Sequence, residues 1–260
     1  MEVGNFIEVK GVRVEYRSRG EVIVALNNVS LQVNKSELFC VLGPNGSGKT
    51  TLLKAIAGLV KHGGAILIDG VNALRIPKKT IAKVISYSSD VSLPEMLSLT
   101  VEEAVLTSRY PISKSFLESS EDFYRAHEVM KMLGVLGLQN RKLSELSAGE
   151  LKKVLLAMAL AKDPKVLLLD EPDAHIDIKS KVELSKTLKI LKDKVLTIFT
   201  THDVVFAANT ATKVLILNNG EGVALGSVKE VLTEEVLSKV YGVKFRVLNN
   251  GETIVPIPVY

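Results

Sequence analysis

The 260-residue sequence contains one cysteine, Cys40. A single thiol forms no disulfide within the chain, so the fold has to be held together without covalent cross-links. Because Cys40 lies inside the apolar run 38–42, we expect a small buried side chain rather than a nucleophile. This cysteine usage fits a reducing cytoplasm.

Long apolar runs are also lacking. The longest one, 154–161, is closed by Lys153 and Lys162 and falls far short of the roughly twenty residues that cross a bilayer. Residues 1–16 alternate apolar and polar side chains and do not show the charged-then-apolar order of a secretory signal. We therefore expect a cytoplasmic protein that reaches a membrane only through a partner.

Aromatic residues are few, 5% of the chain, and they do not alternate with basic residues. The net charge of +4 comes from lysines that are interspersed with glutamates. Because nucleic-acid-binding surfaces usually concentrate positive charge on one face, we expect no nucleic-acid partner. The four histidines form no group with metal-ligand spacing.

The most informative segment is GPNGSGKT at 43–50, directly after the apolar run 38–42. It has the G-x-x-x-x-G-K-[ST] pattern of a loop whose backbone N–H groups surround a nucleotide phosphate. A helix predicted at about 49–59 adds its positive end beneath the anion. Lys49 is expected to reach the β- and γ-phosphates, and Thr50 to bind Mg²⁺. The nucleotide-binding residues predicted here are Gly43, Pro44, Asn45, Gly46, Ser47, Gly48, Lys49, Thr50 and Thr51.

A second constellation is the apolar run 166–169, which ends in two adjacent carboxylates, Asp170 and Glu171. A carboxylate at this place is able to hold Mg²⁺ directly or through water, which is the role predicted for Asp170. Glu171 is predicted to orient and polarise the water that attacks the γ-phosphate. Taken alone, the pair is also compatible with a solvated strand end.

Hydrophobic periodicity indicates an α/β protein with a mainly parallel sheet covered on both faces. Period-two patterns predict a β-rich opening, and a stretch of helical spacing at 93–146 predicts a small helical insert. Strands are predicted at 6–16, 22–33, 38–42, 65–68, 83–88, 166–169 and 195–200, and further helices at 151–161 and 178–191.

Residues 146–150, LSAGE, stand shortly before the acidic strand and begin a predicted helix. Together with the phosphate loop they make the chain resemble the ABC-type ATPases, whose LSGGQ signature occupies this place. In that family the signature binds the γ-phosphate held by the opposite subunit, so that two chains enclose two nucleotides. The resemblance therefore implies a contribution to the partner's site from Ser147, Ala148, Gly149 and Glu150.

Three further residues match the family in its order along the chain. Tyr16 stands where the family places an aromatic that stacks on adenine, although an ordinary strand aromatic is the alternative. Asp177 resembles the acidic member of the loop that crosses to the partner subunit. His202 resembles the histidine that contacts the γ-phosphate, so the resemblance implies a catalytic set of Glu171, His202 and Lys49.

The chain departs from the family pattern at four positions, of which Glu150 in place of the signature glutamine is a mild change. Asp90 is the nearest equivalent of the glutamine that senses Mg²⁺, and a carboxylate there still suits a hard cation. Ala148 replaces a signature glycine, so the backbone at this residue should avoid positive φ. Asp173 stands where the family often has a small hydroxyl residue, and the sequence predicts no role for it.

The resemblance implies a P-loop NTPase core of ABC ATPase type, with an N-terminal antiparallel β subdomain and a small helical subdomain. One ABC ATPase domain, 1–260, is expected, with core and β subdomain at about 1–92 and 147–260 and the helical subdomain at about 93–146. Residues 99–101, 109–111, 230–237 and 240–243 resemble importers of iron chelates, haem and vitamin B12.

The implied protein is an ATPase that uses ATP and Mg²⁺, forms a homodimer and lies peripherally on the cytoplasmic face of the cell membrane. Its implied partners are an integral membrane permease and, indirectly, an extracytoplasmic solute-binding protein. Three alternatives stay open at this point. They are an importer subunit for another solute, a soluble ABC ATPase that acts as an assembly scaffold, and a nucleotide-binding regulatory subunit without useful hydrolysis.

Overall fold

The computed structural model describes residues 5–18, 20–89, 96–112, 119–250 and 253–259. Asp90, the predicted replacement for the family's glutamine, lies outside the described residues. The strands are β1 Asn5–Ser18, β2 Glu21–Asn34, β3 Leu38–Leu42, β4 Gly63–Ile68, β5 Val71–Asn72, β6 Ile85–Ser88, β7 Val166–Leu169, β8 Leu196–Thr201, β9 Lys213–Asn218, β10 Glu221–Ser227, β11 Phe245–Asn249 and β12 Ile254–Pro258. The helices are α1 Lys49–Ile56, α2 Lys78–Val84, α3 Val101–Ser108, α4 Ser120–Met132, α5 Ala148–Leu160, α6 Ile178–Leu191, α7 Val204–Thr210, α8 Val228–Val231 and α9 Glu234–Tyr241.

The opening strands form an antiparallel sheet in the order β2-β1-β4-β5. In β1 from Ile7 to Val14 the buried apolar residues occupy every second position, except that the interval lengthens between Val9 and Val12. The register with β2 shifts at the same place, and Gly11 between them has φ +57°. The shift is a β-bulge, and it keeps the apolar side chains on one face of the sheet.

The central sheet has the order β10-β9-β3-β8-β7-β6, with β3, β8, β7, β6 and β9 running parallel. Every residue of β3 is buried. Leu38, Cys40 and Leu42 belong to a core that includes residues of the helices, whereas Phe39 and Val41 belong to a core shared with α1 and the antiparallel sheet. The predicted α/β fold, with a parallel sheet covered on both faces and a buried Cys40, is confirmed.

The helical segment joins the first of these cores. The α3 residues Val101, Ala104 and Val105 and the α4 residues Ala126 and Met130 are all buried in it, as the helical spacing predicted. Both helices begin with a capping box, in which a hydroxyl side chain and an acidic residue three positions later bond each other's backbone N–H groups. The sequence therefore specifies where each helix begins.

Several predicted bounds were wrong. The predicted strand 83–88 begins only at Ile85, because Lys83 and Val84 complete α2. This helix follows Pro77, whose carbonyl accepts bonds from the amides of Thr80 and Ile81. The loop helix ends at Ile56 rather than near 59, since Gly58 has φ +69°. Strands and helices after β8 were not predicted individually.

A buried ion pair connects α3 to α4. Asp122 accepts hydrogen bonds from the Ser119 hydroxyl at 2.7 Å, the Ser119 amide at 3.1 Å and Arg109 Nε at 2.8 Å. The Ser119 hydroxyl bond is the leading cause that lowers the pKa of Asp122 to about 2. The Arg109 guanidinium also donates to the carbonyl of Ala161 at the end of α5. The pair therefore joins three helices.

We predict that Asp122→Asn lowers the free energy of unfolding at pH 7 by about 2 kcal/mol. This is the free energy that corresponds to the lowered pKa of Asp122 in the folded protein. Because the pKa is lowered on folding, this stabilisation is complete above the unfolded-state pKa near ~4 and is lost as the pH falls toward 2. Urea unfolding at several pH values measures it. Glu121→Gln, which removes an exposed charge from the same helix end, is the control. A difference between wild type and Asp122→Asn that stays constant down to pH 2 would contradict the assignment.

Candidate nucleotide site

The predicted phosphate loop lies between β3 and α1, as expected. Gly48, the last residue before α1, has φ +104°, a conformation that side chains rarely adopt. A Cβ atom on Gly48 would lie 2.6 Å from the carbonyl oxygen of Ala25, and one on Gly43 would lie 2.2 Å from that of Leu217. Neighbouring strands therefore press against the loop, and two of its glycines are required for space.

Lys49 begins α1 and is 5% exposed. Its ammonium group donates hydrogen bonds to the carbonyls of Gly43 at 2.9 Å and Pro44 at 3.1 Å. It also lies 3.3 Å from Oε1 of Glu171. The buried hydroxyl of Ser47 has no hydrogen-bond partner among the described residues. The loop thus presents a positive charge beside backbone groups suited to an anion.

Asp170 directly follows β7 and is surrounded by hydroxyl donors. Thr50 at 3.0 Å and Thr200 at 2.8 Å donate to its Oδ1, and Tyr87 at 3.0 Å donates to its Oδ2. The structure therefore brings Thr50 and Asp170, the two predicted metal-binding residues it describes, within hydrogen-bond distance of each other. The pKa of Tyr87 is raised, first by burial and then by the charge of Asp170.

Sequence reasoning missed Tyr87 and Thr200. Both lie near the carboxyl ends of strands that flank β7, β6 on one side and β8 on the other. The available signal was the appearance of polar residues at the end of apolar runs. Their contact with Asp170 depends on the order of the strands in the sheet, which the local sequence does not contain.

Glu171 lies between the loop and the end of β8. Its amide donates to Thr200 Oγ1 at 2.8 Å, and its carbonyl accepts from Lys152 Nζ of α5 at 3.2 Å. With φ +47° the residue has a left-handed conformation that costs a non-glycine residue about 1 kcal/mol. The carboxylate has Lys49 Nζ at 3.3 Å from Oε1 and His202 Nδ1 at 3.4 Å from Oε2. The structure therefore brings together the side chains of the three residues predicted to be catalytic, Lys49, Glu171 and His202.

The aromatic residue predicted to stack on adenine lies beside α1. Tyr16 is in β1, 39% of its surface is exposed, and its hydroxyl lies 3.4 Å from Thr51 Oγ1. An accessible ring next to the phosphate loop is the placement that stacking on a base requires. This contact brings Tyr16 and Thr51 into the same neighbourhood as the other loop residues.

The LSAGE segment forms the N-terminus of α5 and makes a different set of contacts. Its cap is Ser147, whose amide and hydroxyl donate to the Glu150 carboxylate at 2.8 and 2.7 Å, and these bonds lower the pKa of Glu150. Ala148 is the first residue of the helix, so the expectation that it avoids positive φ is confirmed. A Cβ atom on Gly149 would lie 2.5 Å from Ser180 Oγ, which places α5 against the start of α6.

Asp177, the predicted member of the crossing loop, caps α6. It accepts a hydrogen bond from the amide of Ser180 at 2.8 Å, and this bond is the leading cause that lowers its pKa. Because Ser180 also adjoins Gly149, Asp177 and the LSAGE segment lie on the same side of the molecule. The predicted residues therefore form two groups, one around the phosphate loop and one around the starts of α5 and α6.

A family model described as "ABC transporter" matches residues 26–174. The chain belongs to the ABC transporter family. An uncharacterized ABC transporter ATP-binding protein of Methanocaldococcus jannaschii is 34% identical over 97% of this chain and 98% of that protein. A petrobactin import ATP-binding protein of Bacillus subtilis is 30% identical over 90% of this chain and 92% of that protein. A manganese transport system ATP-binding protein of Listeria monocytogenes is 33% identical over 91% of this chain and 96% of that protein.

Solved ABC structures share the fold of this family member. A putative metal-chelate type ABC transporter in an inward-facing conformation has a TM-score of 0.81 and covers 99% of this chain and 98% of its own, at 24% identity. A dimeric bacterial ABC transporter cassette has a TM-score of 0.75, at 28% identity over 85% of this chain and 98% of its own. The predicted ABC ATPase fold is therefore confirmed.

Members of this family are ATPases, so this ABC protein binds and hydrolyses ATP. Across the described residues, no helix has both the length and the apolar content that crossing a membrane requires.

We predict that Gly48→Ala destabilises this ABC protein more than Gly46→Ala does. Both residues have positive φ, so either alanine costs about 1 kcal/mol in backbone strain. A Cβ atom at Gly46 meets nothing within 4 Å, whereas one at Gly48 meets the Ala25 carbonyl oxygen at 2.6 Å and adds an overpacking cost of about 1–3 kcal/mol. Urea unfolding of the two variants measures the difference. Equal losses would show that the loop has room at Gly48.

Proposed function

We propose that this ATPase is the ATP-binding subunit of an ABC importer and drives uptake of a metal chelate, such as an iron-siderophore, haem or cobalamin, through a partner permease. The observation that carries the proposal is the meeting of Lys49, Thr50, Asp170, Glu171 and His202 at one edge of the central sheet. Relatives named for petrobactin import and manganese transport support a transport role.

In this proposal the phosphate loop holds the β- and γ-phosphates of ATP. The loop amides and the start of α1 face the anion, and Lys49 exchanges its bonds to the Gly43 and Pro44 carbonyls for bonds to phosphate oxygens. Tyr16 stacks on the adenine beside Thr51. Each of these steps uses a residue that already adjoins the loop.

The residues present fit Mg²⁺. This ion usually takes one or two protein oxygen ligands and completes its coordination with water and substrate phosphates. The Thr50 hydroxyl and the Asp170 carboxylate, 3.0 Å apart, supply such a pair, and Asp90 is a further proposed ligand. When bound, the ion would neutralise charge on the β- and γ-phosphate oxygens.

Hydrolysis is assigned to the carboxylate of Glu171. It accepts a proton from the attacking water and orients that water toward the γ-phosphate, while His202 contacts the phosphate from the end of β8. Lys49 lies 3.3 Å from one carboxylate oxygen and His202 lies 3.4 Å from the other, so the ammonium group and the imidazole ring both adjoin the reacting region.

The second group of residues is assigned to the site of a partner subunit. Ser147, Gly149 and the start of α5 would face the γ-phosphate held by a second copy, with Asp177 in the crossing loop. The dimeric bacterial cassette supports a dimer, for which we propose a head-to-tail arrangement of two copies of this chain. Each chain then contributes one group of residues to each of two sites.

The permease is proposed to dock beside the helical segment. A groove of about 300 Å³ lies there, and its lining combines residues of β6, α3 and α5. Tyr87 lines this groove and also donates to Asp170, so the docking surface and the proposed metal site share a residue. We propose accordingly that the protein lies peripherally on the cytoplasmic face of the membrane, with a solute-binding protein as an indirect partner.

We predict that Glu171→Gln still binds ATP but lowers kcat by about 10²–10⁴-fold, because the amide cannot accept the proton of the attacking water. The ATP-bound variant should accumulate as a dimer. Steady-state turnover, nucleotide binding and size-exclusion chromatography with ATP measure these effects. Glu183→Gln, which breaks the ion pair with Lys153 on the protein surface, is the control and should retain activity. Undiminished hydrolysis by Glu171→Gln would rule out this role.

We predict that the tagged chain, purified from detergent-solubilised native membranes, retains a polytopic permease that mass spectrometry identifies. A solute-binding protein recovered with it would carry the solute and could name it. A permease for a free cation or another solute would support the importer and reject the metal chelate. Recovery of soluble partners alone would favour the assembly-scaffold alternative.

A further inference from the structure

Asp173, to which the sequence assigned no role, is a buried carboxyl group beside the catalytic segment. It lies two residues after Glu171 and is 2% exposed. Its Oδ2 accepts a hydrogen bond from Thr201 Oγ1 at 2.8 Å, and its Oδ1 has no hydrogen-bond partner among the described residues. Burial raises the pKa of this carboxyl group. Burying a carboxyl group costs free energy, and the hydrogen bond from Thr201 offsets part of that cost.

Thr201 connects Asp173 to the segment that carries His202. It is the last residue of β8 and is fully buried. While its hydroxyl donates to Asp173, it accepts a hydrogen bond from the amide of Asp203 at 2.9 Å. Asp203 in turn caps α7 and pairs with Lys181 at 2.6 Å. His202 therefore stands between two residues that this network holds in place.

The preceding threonine makes a parallel connection. Thr200 donates to Asp170 and accepts from the amide of Glu171. Two consecutive threonines at the end of β8 thus tie the segment 170–173 to the segment 200–203. The first tie holds the residues predicted to bind metal and activate water, and the second holds the neighbours of His202.

We infer that Asp173 is a positioning residue for ATP hydrolysis, which acts through Thr201 to set the place of His202 relative to Glu171. The inference rests on the proposed roles of Glu171 and His202, whose side chains lie 3.4 Å apart. Small displacements of groups around a reacting phosphate lower the rate strongly. Asp173 itself does not touch the substrate in this arrangement.

The test compares variants that remove the bond with variants that keep it. Thr201→Val and Asp173→Ala remove the donor and the acceptor, whereas Thr201→Ser and Asp173→Asn keep a hydroxyl and an acceptor oxygen. We expect the first two to lower kcat at least about tenfold with KM for ATP changed less than about twofold. The two conservative variants should recover most of the activity. The double variant Asp173→Ala/Thr201→Val should be no slower than the slower single variant, because both remove the same bond.

Thr197→Val is the matched control. Thr197 is a fully buried threonine of the same strand, and its hydroxyl donates to the carbonyl of Val195 at 3.2 Å. This variant should lose stability without losing kcat. A kcat of Thr201→Val equal to that of Thr197→Val would overturn the inference. Losses of kcat in Asp173→Ala and Thr201→Val that multiply in the double variant would also overturn it. If Asp173→Ala does not fold, the kcat of Thr201→Val is compared with that of Thr201→Ser. Equal values would then overturn the inference.

His202→Ala separates this inference from the proposed function. If that variant hydrolyses ATP at the wild-type rate, the proposed role of His202 fails and the inference fails with it. If His202→Ala is inactive while Thr201→Val and Asp173→Ala keep the wild-type kcat, only the role of Asp173 is overturned. Inactive His202→Ala together with slow, non-additive Thr201 and Asp173 variants supports both.

Discussion

The parallel alignment of β3, β8 and β7 is the constraint on which the rest of the structure depends. Leu42 pairs with Thr201, and Leu169 pairs with Phe199, so the three strands end at the same edge of the sheet. The phosphate loop, the acidic pair and His202 are the segments that follow these ends. Because apolar cores cover both faces of the sheet, the register cannot slip without exposing buried side chains.

Hydrogen bonds then fix polar groups that the alignment brings together. Asp170 receives three hydroxyl donors, and Glu171 keeps a positive φ while its amide and carbonyl are both bonded. A strained residue persists only where its surroundings determine its conformation. The site is therefore organised by the protein itself, and the proposed chemistry requires little rearrangement of Asp170 and Glu171.

The sequence predicted the parts of this site that are local. The glycine-rich loop, the acidic strand end and the capped start of α5 each lie within a few consecutive residues, so their pattern is visible without the fold. Tyr87 and Thr200 were missed because only the strand order brings them to Asp170. Asp173 was unexplained for the same reason, since its partner Thr201 lies in β8, 28 residues further along the chain. The start of β6 was misplaced because the apolar residues of α2 also suit a strand.

The division of the predicted residues into two groups bears on why the proposed site needs two chains. The group around the phosphate loop supplies a cation, hydroxyl groups and the carboxylates that follow β7, whereas the start of α5 supplies a hydroxyl and backbone amides. In one chain the Ser147 amide and hydroxyl bond the Glu150 carboxylate. In the proposed dimer, the γ-phosphate held by the other chain has to bind the Ser147 donors either together with the Glu150 carboxylate or in its place. Closure of the proposed dimer then depends on the charge of the γ-phosphate. When hydrolysis removes this phosphate, the contact that holds the two chains together becomes weaker.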